Sequence, residues 1–103
     1  MFTTKIKNIV FNSPIILASG TFGYGYEGKD LLNMEKIGGI VTKSLTLKPR
    51  KGNPHSRIHE TNSGMLNSIG LANVGVDDFC NNKLPYLNDI DTNIIISIAG
   101  SQI

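Results

Sequence analysis

The sequence predicts an α/β fold built on a parallel sheet, and two features of the 103-residue chain indicate this class. Three apolar runs, at residues 15–19 (IILAS), 40–43 (IVTK) and 93–99 (NIIISIA), have the composition of strands buried on both faces. Helical patterns separate these runs along the chain, and such alternation is typical of parallel β–α units. We therefore expect about three parallel strands and two helices.

The first half of the chain predicts three further features. Residues 5–11 (KIKNIVF) indicate a short N-terminal strand or part of a hairpin, followed by a turn at residues 12–14. Residues 26–37 carry apolar side chains at helical spacing and run into a pair of glycines, which predicts the first helix.

The second half predicts a long polar connection and the second helix. Residues 47–61 contain two prolines and several charged residues, which favours a loop. Residues 76–84 predict a helix that Pro85 should end or kink, with Cys80 on its buried apolar face.

Composition, cysteine count and the length of the apolar runs limit the kind of protein that this chain can be. Hydrophobic residues make up 40% of the chain and charged residues 17%, which is globular composition. The one cysteine excludes an internal disulfide, and no zinc-type ligand spacing is present, so no metal is expected. The N-terminal segment lacks the apolar run of a signal peptide, and apolar stretches such as residues 94–96 are too short to span a membrane. We therefore expect a cytoplasmic protein.

Small polar residues and one lysine stand where the predicted parallel strands end. Ser19 follows the first such strand, Lys43 and Ser44 end the second, and Ser97 ends the third. Residues 67–71 (NSIGL) lie in the connection after the second strand. Because ligands of parallel α/β proteins bind at the C-terminal strand ends, these positions predict a pocket for an anionic or heteroaromatic ligand.

Each of these residues also has an interpretation without a ligand. Ser19 can simply form a turn, and Lys43 can extend its ammonium group to solvent. The basic residues Lys48, Arg50 and Lys51 can form a solvated loop, and GxxxxGK[ST] is absent, so no P-loop is predicted.

Five segments together form a more specific pattern than any of them alone. They are ILASGTFGYG (16–25), GGIVTKSLTLKPRKGNPHSRI (38–58), SGMLNSIGLANVG (63–75), LPYL (84–87) and IIISIAGS (94–101). In this order they resemble the N-terminal portion of dihydroorotate dehydrogenase, the FMN enzyme of pyrimidine synthesis. The first and third segments are closer to the class 1 type B catalytic subunit, which passes electrons to NAD⁺, than to the fumarate-linked type A.

The resemblance implies a fold, a reaction and partners. It implies that residues 1–103 are the N-terminal part of an FMN-binding TIM (β/α)₈ barrel, truncated after the third parallel strand. The family oxidises (S)-dihydroorotate to orotate in the synthesis of UMP. The implied partners are an electron-transfer subunit with FAD and an iron–sulfur cluster, and further copies of the chain, with no nucleic acid and no membrane.

The resemblance also assigns roles to the candidate residues. FMN would contact Ser19, Lys43, Ser44 and Ser97, although many relatives have asparagine at the position of Ser97. Lys43 would also approach the orotate carboxylate. The remaining substrate contacts would come from Asn67, Ser68, Ile69, Gly70 and Leu71. No catalytic residue is assigned, because the expected base, a cysteine, belongs to a loop beyond residue 103 and Cys80 does not match its context.

Two other functions remain open from the residues themselves. One is a non-catalytic module that binds flavin or phosphate through Ser19, Lys43 and the basic loop. The other is a nucleic-acid binder that uses Lys48, Arg50, Lys51 and Arg57. With three parallel strands and open sheet edges, the isolated chain is expected to be poorly stable, prone to associate and catalytically inactive.

Overall fold

The computed structural model describes residues 2–102, which form a mixed α/β domain. The strands are β1 (Thr4–Ile6), β2 (Ile9–Phe11), β3 (Ile16–Leu17), β4 (Gly39–Val41), β5 (Ile58–Thr61), β6 (Gly64–Asn67) and β7 (Asn93–Ile95). The short helix α1 (Val76–Asp78) precedes β7. Within these residues, no helix combines the length and the apolar character needed to cross a membrane.

The N-terminal segment is a hairpin. β1 and β2 pair antiparallel, with Thr4 opposite Phe11 and Ile6 opposite Ile9. The turn between them places Lys7 at a positive φ of 51°. The hairpin alternative is therefore confirmed, and a continuous strand over residues 5–11 is wrong because the chain reverses at Lys7.

The three predicted strands are confirmed as parallel and form one sheet, in the order β3-β4-β7. In the middle strand Ile40 is fully buried, opposite Leu17 on one side and Ile94 on the other. The outer strands differ, since Ile16 is 39% exposed and Ile95 is 37% exposed. Burial on both faces is thus correct for β4 and wrong for Ile16 and Ile95, which lie on the edge strands.

The first predicted helix does not form. Residues 26–37 contain turns and a single 3₁₀ turn, Met34–Lys36. The backbone bonds are of the i→i+3 kind, such as Leu31 N to Gly28 O at 2.9 Å. A Cβ on Gly28 would lie 2.5 Å from the Phe22 ring, so this position needs glycine for close packing. Glycine in a helix interior costs about 1 kcal/mol relative to alanine, which disfavours a helix over these residues. Leu31 is left 82% exposed, although the helical spacing predicted it on a buried face.

The second predicted helix is present but longer than expected. α1 continues as a π-helical stretch, Phe79–Lys83, and then as a 3₁₀ turn, Leu84–Leu87. Pro85 does not end it, because a proline in the first positions of a helical turn needs no N–H partner. Phe79 takes the buried position and Cys80, the next residue around the helix, is exposed, so the predicted burial of Cys80 is wrong.

A second hairpin begins in the predicted polar loop, so the loop assignment is wrong for residues 58–61, which form β5. β5 and β6 pair antiparallel, with Ile58 opposite Asn67 and Glu60 opposite Met65. Every residue of both strands is exposed, so neither face carries the alternating apolar pattern that reveals a half-buried strand in a sequence.

The core lies between the sheet and the helical segment. It consists of Tyr24, Ile40, Leu45, Phe79, Leu87 and Ile90. The rings of Tyr24 and Phe79 lie 5.7 Å apart, between centroids, in a tilted arrangement. This packing fixes the segments that follow β3 and β4, where the candidate site residues lie.

Candidate functional site

A cavity of about 330 Å³ lies beside the C-terminal ends of β3 and β4. The predicted site residues that line it lie after β3 or β4, at the end of β6 or in the loop after β6: Ser19, Lys43, Ser44, Asn67, Ile69, Gly70 and Leu71. Gly20 and Ala72 complete the lining. The structure thus brings together residues that are up to 53 positions apart in the sequence (Ser19 and Ala72).

Three serine hydroxyl groups connect the ends of the parallel strands. The Ser19 hydroxyl donates to the Thr42 carbonyl at 2.9 Å and lies 3.4 Å from the Ser44 Oγ. Ser44 and Ser97 form a closer pair, with 2.7 Å between their Oγ atoms. Ser97 is outside the cavity lining, but this chain of hydroxyl groups links it to the pocket.

Lys43 is the one charged residue in the lining formed by the described residues. It is half-buried, and its main-chain N–H donates to the Gly23 carbonyl at 2.8 Å. This backbone bond fixes the main chain at the end of β4, from which the Lys43 side chain enters the cavity lining.

The loop after β6 forms the wall opposite the strand ends. Gly70 and Leu71 both have positive φ, at 77° and 54°. The Asn53 N–H donates to the Ile69 carbonyl at 2.9 Å, and a Cβ on Gly70 would lie 2.8 Å from the Asn53 nitrogen. Glycine is therefore required at position 70 both for its conformation and for this close approach.

Ser68 is the predicted substrate residue whose side chain turns away from the pocket. Its hydroxyl accepts a hydrogen bond from the Asn53 Nδ2 at 2.9 Å, and its N–H donates to the Arg57 carbonyl at 2.7 Å. These bonds join the base of the β5–β6 hairpin to the preceding segment, so Ser68 supports the loop from behind.

Two polar residues that sequence reasoning overlooked are buried behind the site. Thr42 is fully buried, and its hydroxyl accepts the Ser97 N–H at 3.2 Å. Asn73 is 8% exposed and bonds to Thr46, Leu71 and Gly75. The available signal for Asn73 was weak: it is an amide among small residues (LANVG), and a buried amide must find partners.

The chemical character of the cavity follows from its lining. Lys43 supplies a cation, Asn67 an amide with both donor and acceptor, and Ser19 and Ser44 hydroxyl groups, while Ile69 and Leu71 are apolar. Among the described residues, no group of three or more histidine, cysteine, aspartate or glutamate side chains could hold a metal ion. A pocket of this kind suits a flat, anionic ring system that can also accept and donate hydrogen bonds.

Comparison with known proteins identifies the family. The sequence model described as "Dihydroorotate dehydrogenase" matches residues 1–103. The chain is 50% identical over 101 residues to a protein of Geotalea daltonii named "Dihydroorotate dehydrogenase B (NAD(+)), catalytic subunit", covering 98% of this chain and 33% of that protein. Proteins of the same name match with 50% identity over 99 residues in Thermodesulfovibrio yellowstonii and 46% over 99 residues in a Thermoanaerobacter species, each covering 96% of this chain and 33% of the relative.

The chain thus spans about one third of the length of the curated relatives that it matches. The similarity extends over nearly all of its residues, including every segment on which the motif resemblance was based. The family inferred from those motifs is confirmed, and the chain belongs to the dihydroorotate dehydrogenase family.

Proposed function

We propose that this chain is the N-terminal part of an FMN-dependent dihydroorotate dehydrogenase of the NAD-linked type B, which oxidises (S)-dihydroorotate to orotate in pyrimidine synthesis. The observation that carries the proposal is the cavity in which Lys43, Asn67 and the serine hydroxyl groups meet at the C-terminal ends of parallel strands. The names of the relatives support the NAD-linked type.

The same residues fit FMN. Ser19, Ser44 and Ser97 offer hydroxyl groups along one side of the site, and a Cβ placed on Gly20 would meet no atom within 4 Å, so the space above this strand end is open. Bound FMN supplies the hydride acceptor for the oxidation. Lys43 would stabilise negative charge on the bound ring system, because a fixed cation in a partly desolvated site interacts strongly with it.

The loop wall would hold the substrate. Lys43 pairs with a carboxylate, and the Asn67 amide matches a pyrimidine ring whose N–H and C=O groups alternate. Ile69, Gly70 and Leu71 bring backbone groups and apolar side chains to the same side. Ser68 would contribute through its backbone, since its hydroxyl is bonded to Asn53.

The rest of the machinery is proposed to lie outside these residues. Residues 1–103 would form the first part of an FMN-binding TIM barrel, an arrangement supported by the parallel order β3-β4-β7 and by the exposed apolar residues of the two edge strands. The catalytic base would be a cysteine of a later loop. Cys80 does not qualify, because it lies on the exposed side of the helical segment and is absent from the cavity lining.

The proposed partners follow from the type B assignment. The relatives are named catalytic subunits, which supports a separate electron-transfer subunit, proposed here to carry FAD and an iron–sulfur cluster. Self-association of the chain and a cytoplasmic location belong to the same proposal.

The test uses the protein encoded by the complete reading frame. We expect it to bind FMN and to lose the visible absorbance of the flavin when dihydroorotate is added without oxygen. Lys43→Ala should weaken orotate binding at least about tenfold, because a charge pair is lost, whereas Lys5→Ala in the exposed β1 should not.

Three experimental results distinguish the proposed function from the two alternatives. Absence of flavin binding would overturn the proposal. Flavin binding without bleaching would favour the non-catalytic flavin-binding module. Nucleic-acid binding that weakens steeply with salt and ignores Lys43→Ala would favour the basic loop as the functional surface.

A further inference from the structure

The Asn73 carboxamide is the best-connected polar side chain behind the cavity. Its Oδ1 accepts the N–H groups of Thr46 at 3.1 Å and Gly75 at 2.9 Å. Its Nδ2 donates to the Leu71 carbonyl at 2.7 Å and to the Thr46 hydroxyl at 2.9 Å. The side chain is 8% exposed, so the Asn73 end of each bond is largely shielded from water.

The hydrogen bond from the Asn73 Nδ2 to the Leu71 carbonyl is made at a residue whose backbone conformation is strained. Leu71 has a φ of 54°, a left-handed conformation that a leucine rarely adopts and that persists only where the surroundings enforce it. Its carbonyl is oriented by Asn73, and its side chain lines the cavity. The amide therefore holds the pocket wall in a conformation that Leu71 would not adopt by itself.

The bonds to Thr46 tie this wall to the segment that follows β4. Thr46 lies two residues after Ser44, and both the backbone and the hydroxyl group of Thr46 contact the Asn73 amide. The main chain of Asn73 also exchanges two hydrogen bonds of 2.9 Å with Arg50. One buried side chain thus spans the segment that carries Lys43 and Ser44 and the loop that carries Ile69 to Leu71.

We propose that Asn73 is a positioning residue, which sets the separation between the wall at Leu71 and the strand end at Lys43 and Ser44, and thereby the fit of the substrate. The identity of that ligand as orotate rests on the proposed function. The effect of Asn73 on the conformation of the loop does not, and it can be measured without any ligand.

The test compares two changes at Asn73 with one change at its neighbour. Asn73→Asp keeps the shape and the oxygen that accepts from Thr46 and Gly75, but places a second oxygen against the Leu71 carbonyl. Asn73→Ala removes every side-chain bond. Tyr24→Phe is the control, because the Tyr24 hydroxyl accepts the neighbouring Val74 N–H at 3.0 Å and Tyr24 is outside the cavity lining.

The first measurement is amide hydrogen exchange of residues 68–72 in the ligand-free complete protein. We expect faster exchange in both Asn73 variants and unchanged exchange in Tyr24→Phe. The second is orotate affinity, read from the absorbance change of bound flavin. We expect the dissociation constant to rise at least about tenfold for both Asn73 variants, with FMN content unchanged, because small misplacements of a binding wall have large effects.

Different results would overturn the positioning role of Asn73 and the proposed function. If Asn73→Asp leaves both the exchange and the orotate affinity unchanged, Asn73 serves only stability and the positioning role is overturned, even if Asn73→Ala fails to fold. If the unaltered protein binds neither FMN nor orotate, the proposed function fails, and the exchange of residues 68–72 alone upholds or overturns the positioning role.

Discussion

The hydroxyl groups of Ser44 and Ser97 lie 2.7 Å apart, although 53 residues separate the two serines in the sequence. They meet because β4 and β7 run parallel and in register, with Val41 opposite Ile95, so that the residues after each strand emerge at the same edge. The pair shows how the sheet assembles the site: the strand ends supply the position and the short polar side chains supply the contacts.

The Ser44–Ser97 pair gives a first prediction. Ser97→Ala should lower the free energy of unfolding by about 0.5–1.5 kcal/mol and weaken FMN binding, because the Ser44 hydroxyl retains only the longer 3.4 Å contact with Ser19. Urea denaturation and flavin titration measure the two effects. Ser63→Ala, in the exposed turn between β5 and β6, is the matched control. Equal behaviour of the two variants would contradict the prediction.

Three glycines with different surroundings give a second prediction, which concerns the stability of their alanine variants. Gly70→Ala should cost at least about 1–3 kcal/mol, since position 70 has a φ of 77° and a new Cβ would lie 2.8 Å from the Asn53 nitrogen. Gly64→Ala should change stability by less than about 0.5 kcal/mol, because its nearest atom, the Thr61 Oγ1, is 3.8 Å away. Gly20→Ala should fall between them, with positive φ but open space. Denaturation midpoints test this order, and any other order would refute it.

The exposed thiol gives a third prediction. Cys80 should react completely with a thiol reagent such as Ellman's reagent in the native protein, because its side chain is exposed beside the buried Phe79. Cys80→Ser should leave stability within about 0.5 kcal/mol of the unaltered protein. A reaction that begins only in denaturant would show that the thiol is buried after all.

The open sheet gives a fourth prediction, on the 103-residue chain expressed alone. β3 and β7 are its edge strands, and Ile96 and Ile98, which follow β7, are 45% and 81% exposed. We expect association in light scattering at micromolar concentration, and no flavin bleaching by dihydroorotate, since apolar edges promote pairing between chains. A monomer with a cooperative thermal transition would be the contrary result.

The sequence predicted the structure correctly where buried strands leave a local apolar pattern. The parallel strands were predictable because Ile40 and its neighbours form apolar runs, and the meeting of Ser19, Lys43 and Ser44 follows from the common edge of parallel strands. The β5–β6 hairpin was not predictable in this way, because with both faces exposed it leaves no periodic signal.

The errors have local physical causes. The helix expected at residues 26–37 is replaced by turns in which the Glu27 carboxylate accepts the N–H groups of Tyr24 and Gly25 at 3.0 Å. Helical spacing of apolar residues did not reveal this competing arrangement. The loop that bears Ile69 and Leu71 depends on contacts with Asn53 and Asn73, and no short-range pattern encodes contacts with a separate segment.

The close packing between the basic segment and the loop wall limits how the site can change. A Cβ on Gly75 would lie 2.8 Å from the Pro49 nitrogen, as one on Gly70 would from Asn53. The two segments are therefore in direct contact at these two glycines, where no side chain can be added. An insertion or deletion in either segment has to be matched in the other, so the lengths of residues 49–54 and 69–75 are coupled, and redesign of the pocket for a larger ligand must remodel both at once.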